Sequence, residues 1–393
     1  MDAGLVTAIK AAVNPQRLAE TALALIAIPS PTRSAGPVAD ELASILGADG
    51  FAVERPVADW PEAPAVVTRL QSGTPGRTLQ FDGHLDTVHL PFVPPRFAEG
   101  ALYGSGASDM KGGVAAFVEA LRALRDTGAL RAGQVLLTAH DHHEGPWGDR
   151  RQLKALIREG FVGDGVLLPE YLATPLPVAG RGQAIFEVRV KREGEPVHEV
   201  LQAPNTPQVL LAGADLTLRL QALHQRLQAH THPHAGADSC FLGRLTSGEI
   251  YNQVPVECVL SGTRRWVQAG TIEAVRAEFE ALLAGLARDT GTQVELDFSI
   301  SGDAFAISPA DPLVAAFQQA HQAATGAPLP LGGKPFMDDG NTFAALANIP
   351  ALTHGPAATG AHTLDERVTL DELVRVAQVY ALTALSYCKM RVA

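Results

Sequence analysis

Apolar residues recur at helical spacing through LAETALALIAI, where Asn14 and Pro15 supply a cap and a first-turn proline and IPSPT ends the run. A second helical run covers Pro37 to Leu46. AVVTRLQ and RTLQFDGHL then read as strands, Met110 to Leu124 as a helix whose run ends at Gly128, and QVLLTAHDHHE as the next strand. Strand and helix alternate, which predicts an α/β domain with a mixed, mostly parallel sheet covered on both faces. Ligands of such sheets gather at the carboxyl ends of the strands.

From Gly180 the pattern changes. GQAIFEVRVKRE alternates apolar and polar as a half-exposed strand does, a helix follows from about Pro207 to Gln228, and SCFLGRLTSG and VPVECVLSGTRRW read as two more strands. TIEAVRAEFEALLAGLARDTG is helical and TQVELDFSIS a strand. Strand, helix, two strands, helix, strand is the order of a small ferredoxin-like α+β sandwich. The chain then returns through helix DPLVAAFQQAHQAATG, loop GGKPFMDDGNTF, strand IPALTHG and a helix from Thr369. The predicted domains are therefore 1–180 with 305–393, and an insertion at 181–304.

The 393 residues suffice for two domains with substantial cores, and the formal charge of -11 argues against nucleic acid or an anionic membrane as partner. Cys240, Cys258 and Cys388 lack Cys-x-x-Cys spacing and read as buried thiols in a reducing compartment. The N-terminal stretch lacks the layout of a secretory signal, and no apolar run approaches the roughly 20 residues of a membrane span. A cytoplasmic protein is expected. His224, His230, His232 and His234 form a biased tract that no strand or carboxylate frames, so it reads as a polar helix end and loop.

The candidate chemistry lies elsewhere. His84 and Asp86 stand two apart at the end of an apolar strand, where one can hold a metal and the other orient it. Asp109 sits where the Gly-rich GSGASD meets a helix, and a carboxylate there can reach two cations. A lone His-x-Asp is commonly a solvated loop. Its company here is Asp141-His142-His143-Glu144, Pro169-Glu170 and Ala361-His362-Thr363, each cluster read as closing a strand-like segment.

GHLDTV, SDMKGG, the Pro-Glu of LLPEY, YNQVP with TRRW, and HGP with AHTLDE together resemble the zinc-dependent exopeptidases and deacylases, the family of acetylornithine deacetylase, succinyl-diaminopimelate desuccinylase, glutamate carboxypeptidase and aminoacylase. The resemblance covers almost the whole chain. It implies a di-zinc exopeptidase catalytic domain carrying an inserted dimerisation or lid domain, and hydrolysis of the amide bond of an N-acyl amino acid or small peptide by a zinc-bridging water. It assigns His84, Asp109, Glu170 and His362 to two divalent metals, zinc first and cobalt or manganese as alternatives, with Asp109 as bridge and Asp86 fixing His84. A homodimer is implied.

The chain departs from the family at 143 and 144, where most members carry two adjacent glutamates, a base followed by a metal ligand. Counted without gaps, His143 becomes the base and Glu144 the ligand; the register set by Gly148 instead puts His143 on the metal and leaves Glu144 or His142 as base. A non-catalytic binding protein on the same fold is the other reading of this change. By the same resemblance, His198 stabilises the oxyanion, Asn252 and Arg265 hold the substrate carboxylate, and Gly355 and Pro356 line the pocket. Lys334 is unexpected beside MDDGN, and either meets an acidic substrate group or pairs with Asp338.

Overall fold

The computed structural model describes residues 1–390. The chain divides into two compact units, one formed by Met1–Val178, Ile307–Gly333 and the chain from Asp338 on, the other by Ala179–Ala306 with Lys334–Met337.

The first unit is built on a six-stranded sheet in the order Val53–Glu54, Val66–Gln71, Gln134–His140, Thr78–His84, Gly165–Leu168, Ala351–Thr353. The last four strands run parallel, and the first two pair antiparallel with their neighbours. Successive side chains of these strands point to opposite faces. Leu79, Phe81, Val135, Leu137 and Leu167 accordingly join the main core with helices Pro15–Ile26, Lys111–Thr127, Pro312–Thr325 and Leu370–Tyr387. Leu136, Val166 and Leu168 pack on the other face, against helices Arg151–Arg158 and Asp339–Ala347.

Asn14 caps its helix as predicted, its side chain accepting from the Arg17 N–H, with Pro15 at the first position. Thr369 likewise caps the last helix. The sequence reading missed helix Ala3–Ala12, capped by Asp2, and helix Arg151–Arg158. The stretch read as a loop around MDDGN contains helix Asp339–Ala347, with Asp338 as cap.

The parallel register sets His84 beside His140. Residues leaving the carboxyl ends of the parallel strands therefore emerge along one edge of the sheet: Asp86 after His84, Asp141 to Glu144 after His140, Glu170 after Leu168 and His354-Gly355 after Thr353. Glycine tightens this edge. A Cβ at Gly113 would stand 2.3 Å from the Pro169 carbonyl oxygen, and one at Gly355 would stand 1.9 Å from that of Glu170.

The second unit is a four-stranded antiparallel sheet ordered Ser239–Ser247, Glu257–Trp266, Gly182–Lys191, Gln293–Gly302. Helices Val209–Leu227 and Ile272–Thr290 pack on it around a core that includes Phe186, Leu216, Leu260, Trp266, Phe279 and Phe298. Strand Gly182–Lys191 alternates buried and less buried residues along its length, as its sequence predicts. The sheet order is that of a ferredoxin-like sandwich.

Candidate active site

Asp109 lies at the centre of the sheet edge. One carboxylate oxygen is 3.2 Å from His84 Nε2, and the other is 3.3 Å from His362 Nε2. His362 Nε2 is also 3.2 Å from the Glu144 carboxylate. The loop that carries Asp109 is fixed by Glu366, which accepts the backbone N–H groups of Ser108 and Asp109 and the Ser108 hydroxyl. The ligand atoms of His84, Asp109 and Glu144 lie within 4.8 Å of one another, as do those of His84, His143 and Glu170. A third such group is Asp82, His140 and Asp339. Among the described residues these three are the groups close enough to hold an ion, and all belong to the first unit.

Of the 141–144 cluster, half faces away from this centre. Asp141 accepts the backbone N–H groups of Arg33 and Ala35, fixing the turn before helix Gly36–Ala48. The buried His142 ring stands edge-on to Trp60, with centroids 4.4 Å apart. His143 stacks on His84 with centroids 4.0 Å apart and planes within 8°. Its Nε2 is 3.9 Å from Glu170, and its Nδ1 is 2.8 Å from Asp339. The Asp86 carboxylate accepts the backbone N–H groups of His143 and Glu144, so it holds this turn directly. Toward His84 Nδ1, the backbone oxygen of Asp86 is closer, at 2.9 Å, than its carboxylate at 3.6 Å.

The electrostatics call for positive charge. Burial, and then the Asp109 carboxylate, push Glu170 well above the usual carboxylate range. Burial opposes protonation of His84, but its hydrogen bond to Asp109 and the charges of Asp86 and Glu170 outweigh it and raise the imidazole. Hydrogen bonds to Asp109 and Glu144 lift His362 to about 10. A protonated imidazole meets here a demand that a cation meets better, since carboxylates and neutral imidazoles are the donor set of zinc and its neighbours. The residues present therefore fit divalent metal.

The model of peptidase family M20/M25/M40 matches residues 81–386. The chain belongs to this family. Succinyl-diaminopimelate desuccinylase of Alkalilimnicola ehrlichii is 29% identical over 380 residues, covering 92% of this chain and 96% of that one. The crystal structure of an aminopeptidase from Bacillus cereus superposes with a TM-score of 0.80 at 18% identity, covering 96% of this chain and 99% of that chain. A dinuclear metal binding M20 peptidase of Bacillus subtilis has a TM-score of 0.70 at 16% identity, covering 94% of this chain and 97% of that one. As an M20 protein the chain is a metal-dependent hydrolase of amide bonds.

The remaining predicted site residues of this M20 chain fall in two places. Gly355 lies against Glu170, its N–H donating to the Leu172 carbonyl. His198, Asn252 and Arg265 belong to the second unit. His198 Nε2 is 3.0 Å from Asn252 Nδ2, and the paired stretches Val197–His198 and Gln253–Val254 bring the two together. Arg265 stands opposite Gln183 and Ser239 in the sheet, near Arg181. Lys334, also in this unit, lies over the Phe305 ring at 4.7 Å. His362 does not end a strand: it lies well past Ala351–Thr353, with a positive φ of 62°. Asp339 was missed, because the second aspartate of MDDGN read as part of a loop. Asp338 as a cap with an apolar run behind it would have placed Asp339 in the first turn of a helix. No helix among the described residues is long and apolar enough to cross a membrane.

Proposed function

We propose that the protein cleaves the amide bond of an N-acyl amino acid or a short peptide, using two divalent metals, zinc before cobalt or manganese. His84, Asp109 and Glu170 hold one metal; Asp109, Glu144 and His362 hold the other. The observation that carries this reading is Asp109, whose two carboxylate oxygens face histidines from opposite ends of the chain, His84 at 3.2 Å and His362 at 3.3 Å. Two bound cations would polarise the scissile carbonyl and acidify water toward neutrality. In this assignment Glu144 is a ligand because it shares His362 with Asp109, and His143 is the base because its ring stacks beside His84 with Nε2 toward Glu170. Asp86 holds the backbone of both in place.

The inserted unit pairs two chains in this proposal. Support comes from strand Ser239–Ser247, an edge of its sheet with Phe241 and Leu245 exposed, and from Leu210, Leu211 and Leu218 exposed on helix Val209–Leu227. Exposed edges and apolar faces favour two-fold association. His198 then stabilises the oxyanion in the partner's site, while Asn252 and Arg265 bind the substrate carboxylate, a guanidinium matching it with two parallel hydrogen bonds. The acidic charge of -11, the three thiols and the lack of an apolar span fit work in the cytoplasm on small substrates.

Elemental analysis of protein purified without chelator, joined to a screen of acylated amino acids, succinylated ones included, and of dipeptides, tests the proposal. Two divalent metals per chain and turnover of one class are expected; background metal with no uptake of zinc refutes it. For the shared site, mixed dimers of His198→Ala and His84→Ala chains should recover one working site. Mixed dimers that form and stay inactive contradict a role in the partner.

A further inference from the structure

His143 is an unusual base for a site of this layout, and an imidazole serves as base only if the nitrogen facing the reaction carries a lone pair. The partner of its other nitrogen decides that. His143 Nδ1 is 2.8 Å from Asp339 Oδ2, and Asp339 is fully buried at the start of helix Asp339–Ala347. The other oxygen, Oδ1, accepts from Arg150 Nε at 3.1 Å. An ionised carboxylate can only accept, so Nδ1 must donate and Nε2 is left with its lone pair toward Glu170, 3.9 Å away. Behind Asp339 the arrangement continues: His140 Nε2 is 3.5 Å from Asp339 Oδ2 and 3.3 Å from Asp82 Oδ2.

We infer that Asp339 is the positioning residue of the base, fixing the Nδ1–H tautomer and the ring plane of His143. This rests on the reading of His143 as the base. In the reaction, Nε2 takes a proton from the attacking water and later delivers it to the departing amine nitrogen; Asp339 balances the imidazolium in between and itself gains no proton. Arg150 has a definite share, because it fixes which oxygen of residue 339 faces it.

Asparagine at 339 tests this sharply. Arg150 demands an acceptor, so the amide oxygen of Asp339→Asn turns toward Arg150 and the amide NH2 toward His143. That NH2 donates to Nδ1 and forces the Nε2–H tautomer, which cannot accept a proton. The expected result is a fall in kcat of roughly a hundred- to ten-thousand-fold, with KM and zinc content unchanged. Asp339→Ala leaves the ring free to choose its tautomer and should lose less kcat than Asp339→Asn, the reverse of the order that a purely structural role gives. Nitrogen NMR of labelled histidine in the zinc-loaded protein, with the His143 signals assigned by their loss in His143→Ala, should show a protonated Nδ1 in the parent and a protonated Nε2 in Asp339→Asn. If His143→Ala keeps both metals and is inactive while Asp339→Asn keeps the parent kcat and tautomer, the inference fails and the base assignment stands. If His143→Ala loses a metal or keeps turnover, the base assignment fails and takes the inference with it.

Discussion

In strands Thr78–His84 and Gln134–His140 every residue after the first is buried, yet Gln80, Asp82, His84, Thr138 and His140 are polar. In Gly182–Lys191 the buried residues are Gly182, Ala184, Phe186, Val188 and Val190, and the polar ones lie between them at less buried positions. The difference follows from cover. The first sheet carries helices on both faces and has no wet side for a polar group, so each buried polar residue needs a partner. Those partners form a column: Gln80 donates to Thr138, Thr138 donates to Asp82, and His140 reaches both Asp82 and Asp339. The column ends at His143. In the second unit the same residue types have an exposed face to occupy, and its candidate residues His198 and Asn252 lie on an exposed hairpin-like pairing. Polar residues inside the doubly covered sheet thus need partners within the core, whereas those of the inserted sheet can turn to water.

The largest effect that would break this contrast concerns the metal cluster. Asp109→Ala removes the carboxylate that faces both His84 and His362, and should take turnover to background with loss of metal by elemental analysis. An active, metal-replete variant would show that the buried polar residues serve only packing. Next in size is the column beneath the site. Asp82→Ala removes the buried carboxylate that accepts from Thr138 and faces His140, and should cost about 3–5 kcal/mol in denaturant unfolding. Its counterpart in the inserted sheet, the exposed pair of Lys191 and Glu295 at 2.6 Å, should lose less than about 1 kcal/mol when Glu295→Gln breaks it. Equal losses would erase the distinction. The smallest effect concerns the thiols. Burial pushes Cys240 and Cys388 up to about 12 and raises Cys258 as well, so in both units the reactive thiolate is scarce. At pH 8 an alkylating reagent should leave the folded protein unmodified and label all three cysteines after denaturation.

His84, Asp109 and Glu170 were legible as candidates because each follows an apolar run or a Gly-rich junction, and parallel strands deliver such residues to one edge. The ferredoxin-like insertion was legible for a related reason: a half-exposed sheet keeps its period of two. His362 was less so: it was read as closing a strand-like segment, but it sits in a loop with positive φ where no periodicity points, and the AHTLDE resemblance was its firmer signal. The roles within Asp141 to Glu144 could not be read from spacing either. Alternation past the strand end is broken by the positive φ of His142, 72°, which turns that ring to Trp60 and frees His143 to stack on His84. Asp339 was hidden because its partner, His143, lies 196 residues earlier in the chain.

The central claim is that adjacent residues at one strand end divide the work, Glu144 holding metal and His143 moving the proton. Metal content and turnover measured side by side on His143→Ala and Glu144→Ala test it most directly. His143→Ala should keep two metals per chain and lose kcat by roughly a hundred- to ten-thousand-fold, while Glu144→Ala should lose one metal. A His143→Ala protein that loses a metal, beside a Glu144→Ala protein that keeps both, would contradict the account and establish the opposite register.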